Sequence, residues 1–384
     1  MAVNYLQYIS TVHRTDQTAY PSMRFLVSGV DAGVREAVGR NIVTSCRSCG
    51  KTMFIVDNTQ SMTDFPGGFG GYRVVNILNG EVSLCSDLLE VNSIKGISRL
   101  RSLLSSLGFD GSRAMQVVTY LSFVKETERR LGNTAPLTTD VLEEYGSTTL
   151  VQWKLSRIVE RGELSRENKE YLLCRYAEVS GAAADFEMFL ALFAPFLDGA
   201  FPTPDMAVHL PLGAFASDKP MQELMCKLMI SHIKCNRDDS AVLILDDGKG
   251  ERGCLMDMLR NLPTTTEAHM ISNDAFSLGE VDLGVLMNTF PVRIYTRHED
   301  MASCGKIENH CGQIDVVKRS STVTVDKRIG ANSAWDLLFG TNRTETEIRN
   351  APVKEYRFRK ETIQSLSERT GIIDCGGNQV LFSF

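Results

Sequence analysis

Apolar and polar positions follow two different rhythms along the chain. Arg24-Phe25-Leu26-Val27-Ser28 is a short apolar run that enters a turn at Gly29, and Thr52-Met53-Phe54-Ile55-Val56-Asp57 is a second that ends on an acid. Between them, over residues 34–46, Ala37, Val38, Ile42 and Val43 recur on one helical face. The opening therefore reads as strand, glycine-containing loop, helix, strand, an alternation that favours a parallel sheet with a right-handed crossover. A glycine-rich turn over residues 65–72 precedes a third strand over 72–78. From 98 to 197 the rhythm is helical almost throughout, with helix starts at Thr138-Thr139-Asp140 and Ser165-Arg166-Glu167 and a buried helix ending near Pro195. The first rhythm returns with a strand over 207–210, an amphipathic helix over 219–233 and the clearest buried strand, 240–247, which closes on Asp246 and Asp247. Further strands are predicted over 269–273 and 292–295, then a helix start near Glu361 and a terminal strand pair over 371–384.

Composition narrows the class. The 384 residues are 43% hydrophobic and 23% charged, an ordinary globular balance that argues against disorder. With 41 basic and 47 acidic side chains the net charge is −6, which excludes a strongly basic protein that coats nucleic acid. No uninterrupted apolar stretch approaches the roughly 18 residues of a membrane helix, and residues 1–20 lack the layout of a signal peptide. The expected location is the cytoplasm. Cys46 and Cys49 form a lone C-x-x-C motif. The candidates for a second pair, Cys304 and Cys311 with His298 and His310, are spaced like no zinc ribbon or finger, so reduced structural thiols are expected.

Three features carry chemistry through their order: a glycine-bearing strand–loop–helix, a helical insertion, and an apolar strand closed by two acids. A P-loop nucleotidase uses the first to cradle phosphates at a helix N-terminus and the third to hold Mg²⁺. The loop departs from G-x-x-x-x-G-K-[ST]. Aligned on Gly29 it reads Gly29-Val30-Asp31-Ala32-Gly33-Val34-Arg35-Glu36. Val34 stands for the second glycine, Arg35 for the lysine and Glu36 for the hydroxyl that binds Mg²⁺, while Asp31 and Glu36 bring negative charge to the place of the phosphates. A rival Gly50-Lys51-Thr52 lacks the leading glycine and is followed by a strand. It reads instead as a helix C-terminus closed by Gly50.

In this order the motifs resemble the FtsK/HerA superfamily, above all the TraG/TraD-type coupling ATPases of conjugation and type IV secretion. The resemblance covers most of the chain. It implies an α/β, RecA-like, mostly parallel sheet flanked by helices, built from residues 1–97 and 206–384 around an all-α domain over 98–205. It also implies that Gly29, Asp31, Gly33, Arg35 and Glu36 occupy the nucleotide loop, that Asp246 holds the metal, and that Asp247, Asp246, Asn273 and Arg293 hold the catalytic positions. Asp247 stands where the family has its glutamate, and Asn273 where it has a glutamine. Three eroded signatures together imply a pseudo-ATPase, a coupling-protein-like subunit for which ATP and Mg²⁺ are doubtful cofactors. Its implied partners are the proteins of a translocation complex and DNA, in a homo- or hetero-oligomer without an integral membrane segment and at most peripheral at the inner face of the membrane. Two alternatives remain: an active Mg-ATP-dependent DNA translocase with an unorthodox loop, and a regulatory or scaffold protein whose crevice takes another ligand.

Overall fold

A computed structural model describes residues 24–59, 71–85, 94–135, 137–161, 165–235, 240–248, 252–325, 344–375 and 377–383. Most of the predicted glycine-rich turn, residues 65–70, lies outside them. The chain divides into two units, 1–296 with 368–384, and 297–367.

The first unit is built on a nine-stranded sheet. Its strands are β1 Arg24–Ser28, β2 Thr52–Asp57, β3 Arg73–Asn76, β4 Met206–Pro211, β5 Ser240–Asp246, β6 Glu267–Ser272, β7 Val292–Tyr295, β10 Thr370–Cys375 and β11 Asn378–Ser383. Their spatial order is β11-β10-β7-β1-β6-β5-β2-β4-β3. The run from β7 to β3 is parallel throughout, and β10 and β11 close one side antiparallel. This is the expected α/β class. β3 is shorter than predicted, because the Asn76 side chain accepts from Leu78 N and turns the chain into a 3₁₀ segment, Ile77–Asn79.

Strands buried on both faces need apolar side chains at consecutive positions, which is why β2 and β5 read as unbroken runs. On one face Val27, Ile55 and Leu243 pack beneath Val34, Val38 and Ile42 of α1, Ala32–Ser48. On the other, Phe54 meets the His232 ring of α8, Lys219–Cys235, edge-on at 5.4 Å. Gly50, at φ 68°, ends α1 and donates to Arg47 O, as predicted for a helix C-terminus.

Between β3 and β4 the chain is helical: α2 Ile94–Ser106, α3 Gly111–Arg130, α4 Thr139–Glu143, α5 Thr148–Arg161, α6 Arg166–Val179 and α7 Ala183–Leu197. Thr138 and Ser165 are the N-caps of α4 and α6. Aromatic rings fill this core, Tyr120 stacking on Phe186 at 4.6 Å and Phe189 on Phe193 at 4.7 Å. Within it the buried Glu128 accepts from Tyr145 Oη at 2.6 Å, Lys154 Nζ at 2.8 Å and Asn133 Nδ2 at 2.9 Å. Burial alone would raise this carboxyl, but the three donors outweigh it and hold it below its ordinary value. The helical run Arg166–Leu197 is long and apolar enough to cross a membrane by length and composition. It is interrupted by a 3₁₀ turn at Ser180–Ala182, and Phe186, Phe189, Phe193 and Phe196 are buried within the protein.

Two further helices, α9 Gly253–Asn261 and α10 Glu280–Thr289, connect the later parallel strands. The second unit contains α11 Met301–Cys311, a two-stranded antiparallel ribbon of β8 Gln313–Val325 and β9 Thr344–Tyr356, and α12 Lys360–Gln364. Asp300 caps α11 through Ser303 N, and Gly312 closes the helix at φ 72°.

Candidate functional site

In an open parallel sheet the ligand crevice lies beyond the carboxyl ends of the strands, where neighbouring connections diverge. The sheet order places β6 between β1 and β5, so the strand ends bearing the glycine loop, Asn273 and the two acids are immediate neighbours. Ser28 and Gly29, Ser272 and Asn273, and Asp246 and Asp247 therefore line one edge.

The first motif is a short turn. Only Gly29, Val30 and Asp31 separate β1 from α1. Gly29 has φ 132°, a conformation that L side chains rarely adopt, and its N–H donates to Ser272 O at 3.1 Å, tying β1 to β6. Asp31 is the N-cap of α1: its Oδ1 accepts from Val34 N at 3.1 Å. Its Oδ2 accepts from the backbone N–H of Arg369 at 2.7 Å, and Arg369 is the one non-glycine residue with positive φ (57°) among those described. A carboxylate of the protein thus satisfies the helix start at which a phosphate would bind. Gly33 lies beside it, with the aliphatic part of Arg369 about 3.9 Å from where a Cβ would stand. Burial lowers the Arg35 guanidinium pKa, and the charge of Asp31 partly offsets this. Glu36 pairs with Arg40 one turn along α1.

The third motif is saturated. The Asp246 side chain is fully buried, and Arg252 grips it twice, with Nε at 3.1 Å from Oδ1 and Nη2 at 2.6 Å from Oδ2. Asn58 Nδ2 donates to Oδ1 at 3.2 Å and Ser272 Oγ to Oδ2 at 2.7 Å. Arg252 is itself 6% exposed, and it also donates to Ser277 Oγ and to the carbonyl of Asp274. Four hydrogen bonds to two carboxylate oxygens, two of them from one bidentate guanidinium, leave this acid neutralised and coordinated by protein. Asp247 follows on the crevice side, half-buried. Asn273 donates its N–H to Asp246 O at 3.1 Å, which joins the ends of β5 and β6, and its side-chain Oδ1 has no partner among the described residues.

Arg293 stands apart from this group. It faces Asp374 across the β7–β10 pair, with Nη1 at 2.7 Å from Oδ2, and donates also to Met287 O. His209 Nε2 lies 3.3 Å from Asp57 Oδ2 with both side chains buried. Burial pushes the Asp57 carboxyl upward, but His209 and the N–H and hydroxyl of Thr59 together hold it below its ordinary value.

Arg252 and Arg369 were missed by the sequence reading. Arg252 lies six residues beyond Asp246, where a basic residue has no periodic signature, and Arg369 comes from the other end of the chain. No family model matches the sequence, and no curated protein matches it. Among solved structures the chain is similar to the bacterial conjugative coupling protein TrwBdeltaN70 in its unbound form, at 13% identity and TM-score 0.48, covering 95% of this chain and 84% of that one. It is similar to TrwB in complex with the GTP analogue GDPNP at 14% identity and TM-score 0.49, covering 95% and 85%. It is also similar to VirB4 of Thermoanaerobacter pseudethanolicus at 10% identity and TM-score 0.41, covering 94% and 88%.

Proposed function

We propose that this chain is a pseudo-ATPase: a RecA-like subunit, of the coupling-protein kind that its motif order resembles, which works as a binding or assembly component of a DNA- or protein-translocation system without turning over nucleotide. The observation that carries the reading is the Asp246–Arg252 pair. A Mg²⁺ ion needs oxygen ligands with lone pairs to give, and both Asp246 oxygens are committed to protein donors. The guanidinium supplies in place the positive charge that a metal would bring.

The residues do not fit a magnesium triphosphate at the other end of the crevice either. The three-residue turn is too short to wrap a phosphate, and the Asp31 carboxylate already caps the helix that would receive one. Binding would require an anion to displace this internal anion while Asp31 stayed nearby, at a repulsion of about 1 kcal/mol at 4 Å even in bulk-like solvent and more inside a crevice. Partners then fall to surfaces and not to a fuel cycle, and a degenerate copy would act beside an active paralogue or as a scaffold.

Turnover tests this directly. Wild-type protein with saturating Mg-ATP, with and without DNA, is expected to release phosphate no faster than the Asp247→Asn variant. Activity that the wild type shows and Asp247→Asn loses contradicts the proposal and supports an active translocase with an unorthodox loop.

A further inference from the structure

A second polar cluster lies at the opposite end of the sheet, where the parallel strands begin. Cys46 comes from the last turns of α1, Lys51 from the entry to β2, and Glu267 and His269 from the start of β6. We propose that Cys46, Glu267 and His269 form a binding site for a divalent transition metal of the zinc class, independent of the crevice and of the function proposed above.

The donor set is one sulfur, one imidazole nitrogen and one carboxylate oxygen, the mixture that zinc takes and that magnesium and calcium do not. The three ligand atoms lie within 4.8 Å of one another. Glu267 Oε1 is 3.4 Å from Cys46 Sγ and 3.0 Å from His269 Nε2. A tetrahedron with arms of about 2.0–2.3 Å has edges of about 3.3–3.8 Å, so both separations lie within a few tenths of an ångström of that range.

The surroundings orient these atoms as a metal site requires. Lys51 Nζ holds the other carboxylate oxygen, Oε2, at 2.5 Å, which leaves Oε1 turned toward the sulfur and the ring. The His269 ring stacks on Phe25 at 5.2 Å and 17°, which fixes its plane. Among the described residues its Nδ1 has no hydrogen-bond partner, and Nε2, 3.0 Å from Glu267 Oε1, is the ligand nitrogen when Nδ1 carries the ring proton. Cys46 and His269 are 1% exposed while Glu267 is only half-buried, which gives an ion a way in. Binding displaces the Cys46 thiol proton to solvent, and the fourth position goes to water or to the exposed Cys49 three residues on. The C-x-x-C motif alone hid this site because its partners lie more than 200 residues away.

The test is a titration of the full, reduced chain with Co²⁺ alone, followed by absorption. The expected result is saturation at one equivalent, with a thiolate-to-cobalt charge-transfer band in the near ultraviolet and the visible bands of a tetrahedral ion, all abolished by one equivalent of Zn²⁺. Cys46→Ser should remove the charge-transfer band while keeping the wild-type circular dichroism, and His269→Gln should weaken affinity at least about tenfold. A wild-type chain without the charge-transfer band, or a band that survives Cys46→Ser, overturns the site and leaves the cluster a network of protons. If Cys46→Ser does not fold, the wild-type titration and His269→Gln decide.

Discussion

Arg252 sets the charge of the crevice at the residue scale. Asp246 is an acid with no exposed side-chain surface, and such a group is tolerable only when paired and fully hydrogen-bonded. Removing one partner of a buried pair leaves an uncompensated charge and typically costs about 3–5 kcal/mol. Arg252→Met is therefore expected to lower the unfolding free energy by about that amount in urea titration, and the double variant Asp246→Asn with Arg252→Met should recover most of it. A single variant within about 0.5 kcal/mol of wild type would show that Asp246 does not depend on this guanidinium. The acid itself was legible in the sequence, because a strand that ends on Asp246 and Asp247 directs carboxylates to one crevice. Its partner was not legible, since only the backbone beyond β5 brings Arg252 round to it. Asp31 shows the same division. Its negative charge in the loop was evident, but its commitment to Val34 N and Arg369 N depends on chain closure.

At the scale of elements, local chemistry explains why so much of the order was readable. β2 and β7 match their predicted spans residue for residue, β2 because a parallel strand buried on both faces announces itself as an unbroken apolar run. Helix starts were readable where a side chain caps them. Thr138 and Ser165 are the two that were read; Asp110, which was not, caps α3 in the same way, accepting from Ser112 N at 2.8 Å and Arg113 N at 2.9 Å. Asp110→Ala should cost about 1 kcal/mol in thermal unfolding, and no loss would mean that α3 is held by packing alone. The separate unit at 297–367 carried no composition shift and was not predicted. Acid sensitivity is also an element-scale property, since Glu128 joins α3 to Tyr145 and to Lys154 of α5, and Asp57 joins β2 to His209 of β4. Both carboxyls lie below their ordinary values in the fold, so the stability they confer is complete above about pH 4.5 and is lost as pH falls through their lowered values. Urea midpoints should fall with acidification below that point. In the Tyr145→Phe variant, which loses one of the donors holding Glu128 down, this fall should be shallower. An unchanged slope would place the acid sensitivity elsewhere.

Across the whole first unit, the strand ends at the crevice are joined to each other. Gly29 N–H reaches Ser272 O, Thr296 N–H reaches Ser28 O at 2.9 Å, and Asn273 N–H reaches Asp246 O. Ser28 Oγ adds a bond from Ala275 N at 3.0 Å. The crevice is thus a stitched seam in an otherwise parallel sheet, with its charges neutralised internally. Calorimetric titration of the purified chain with a non-hydrolysable ATP analogue and Mg²⁺ tests this most directly. No heat of binding up to millimolar analogue is the expected result; saturable binding at micromolar concentration would contradict the account and show that Asp31 and Arg252 yield to a nucleotide.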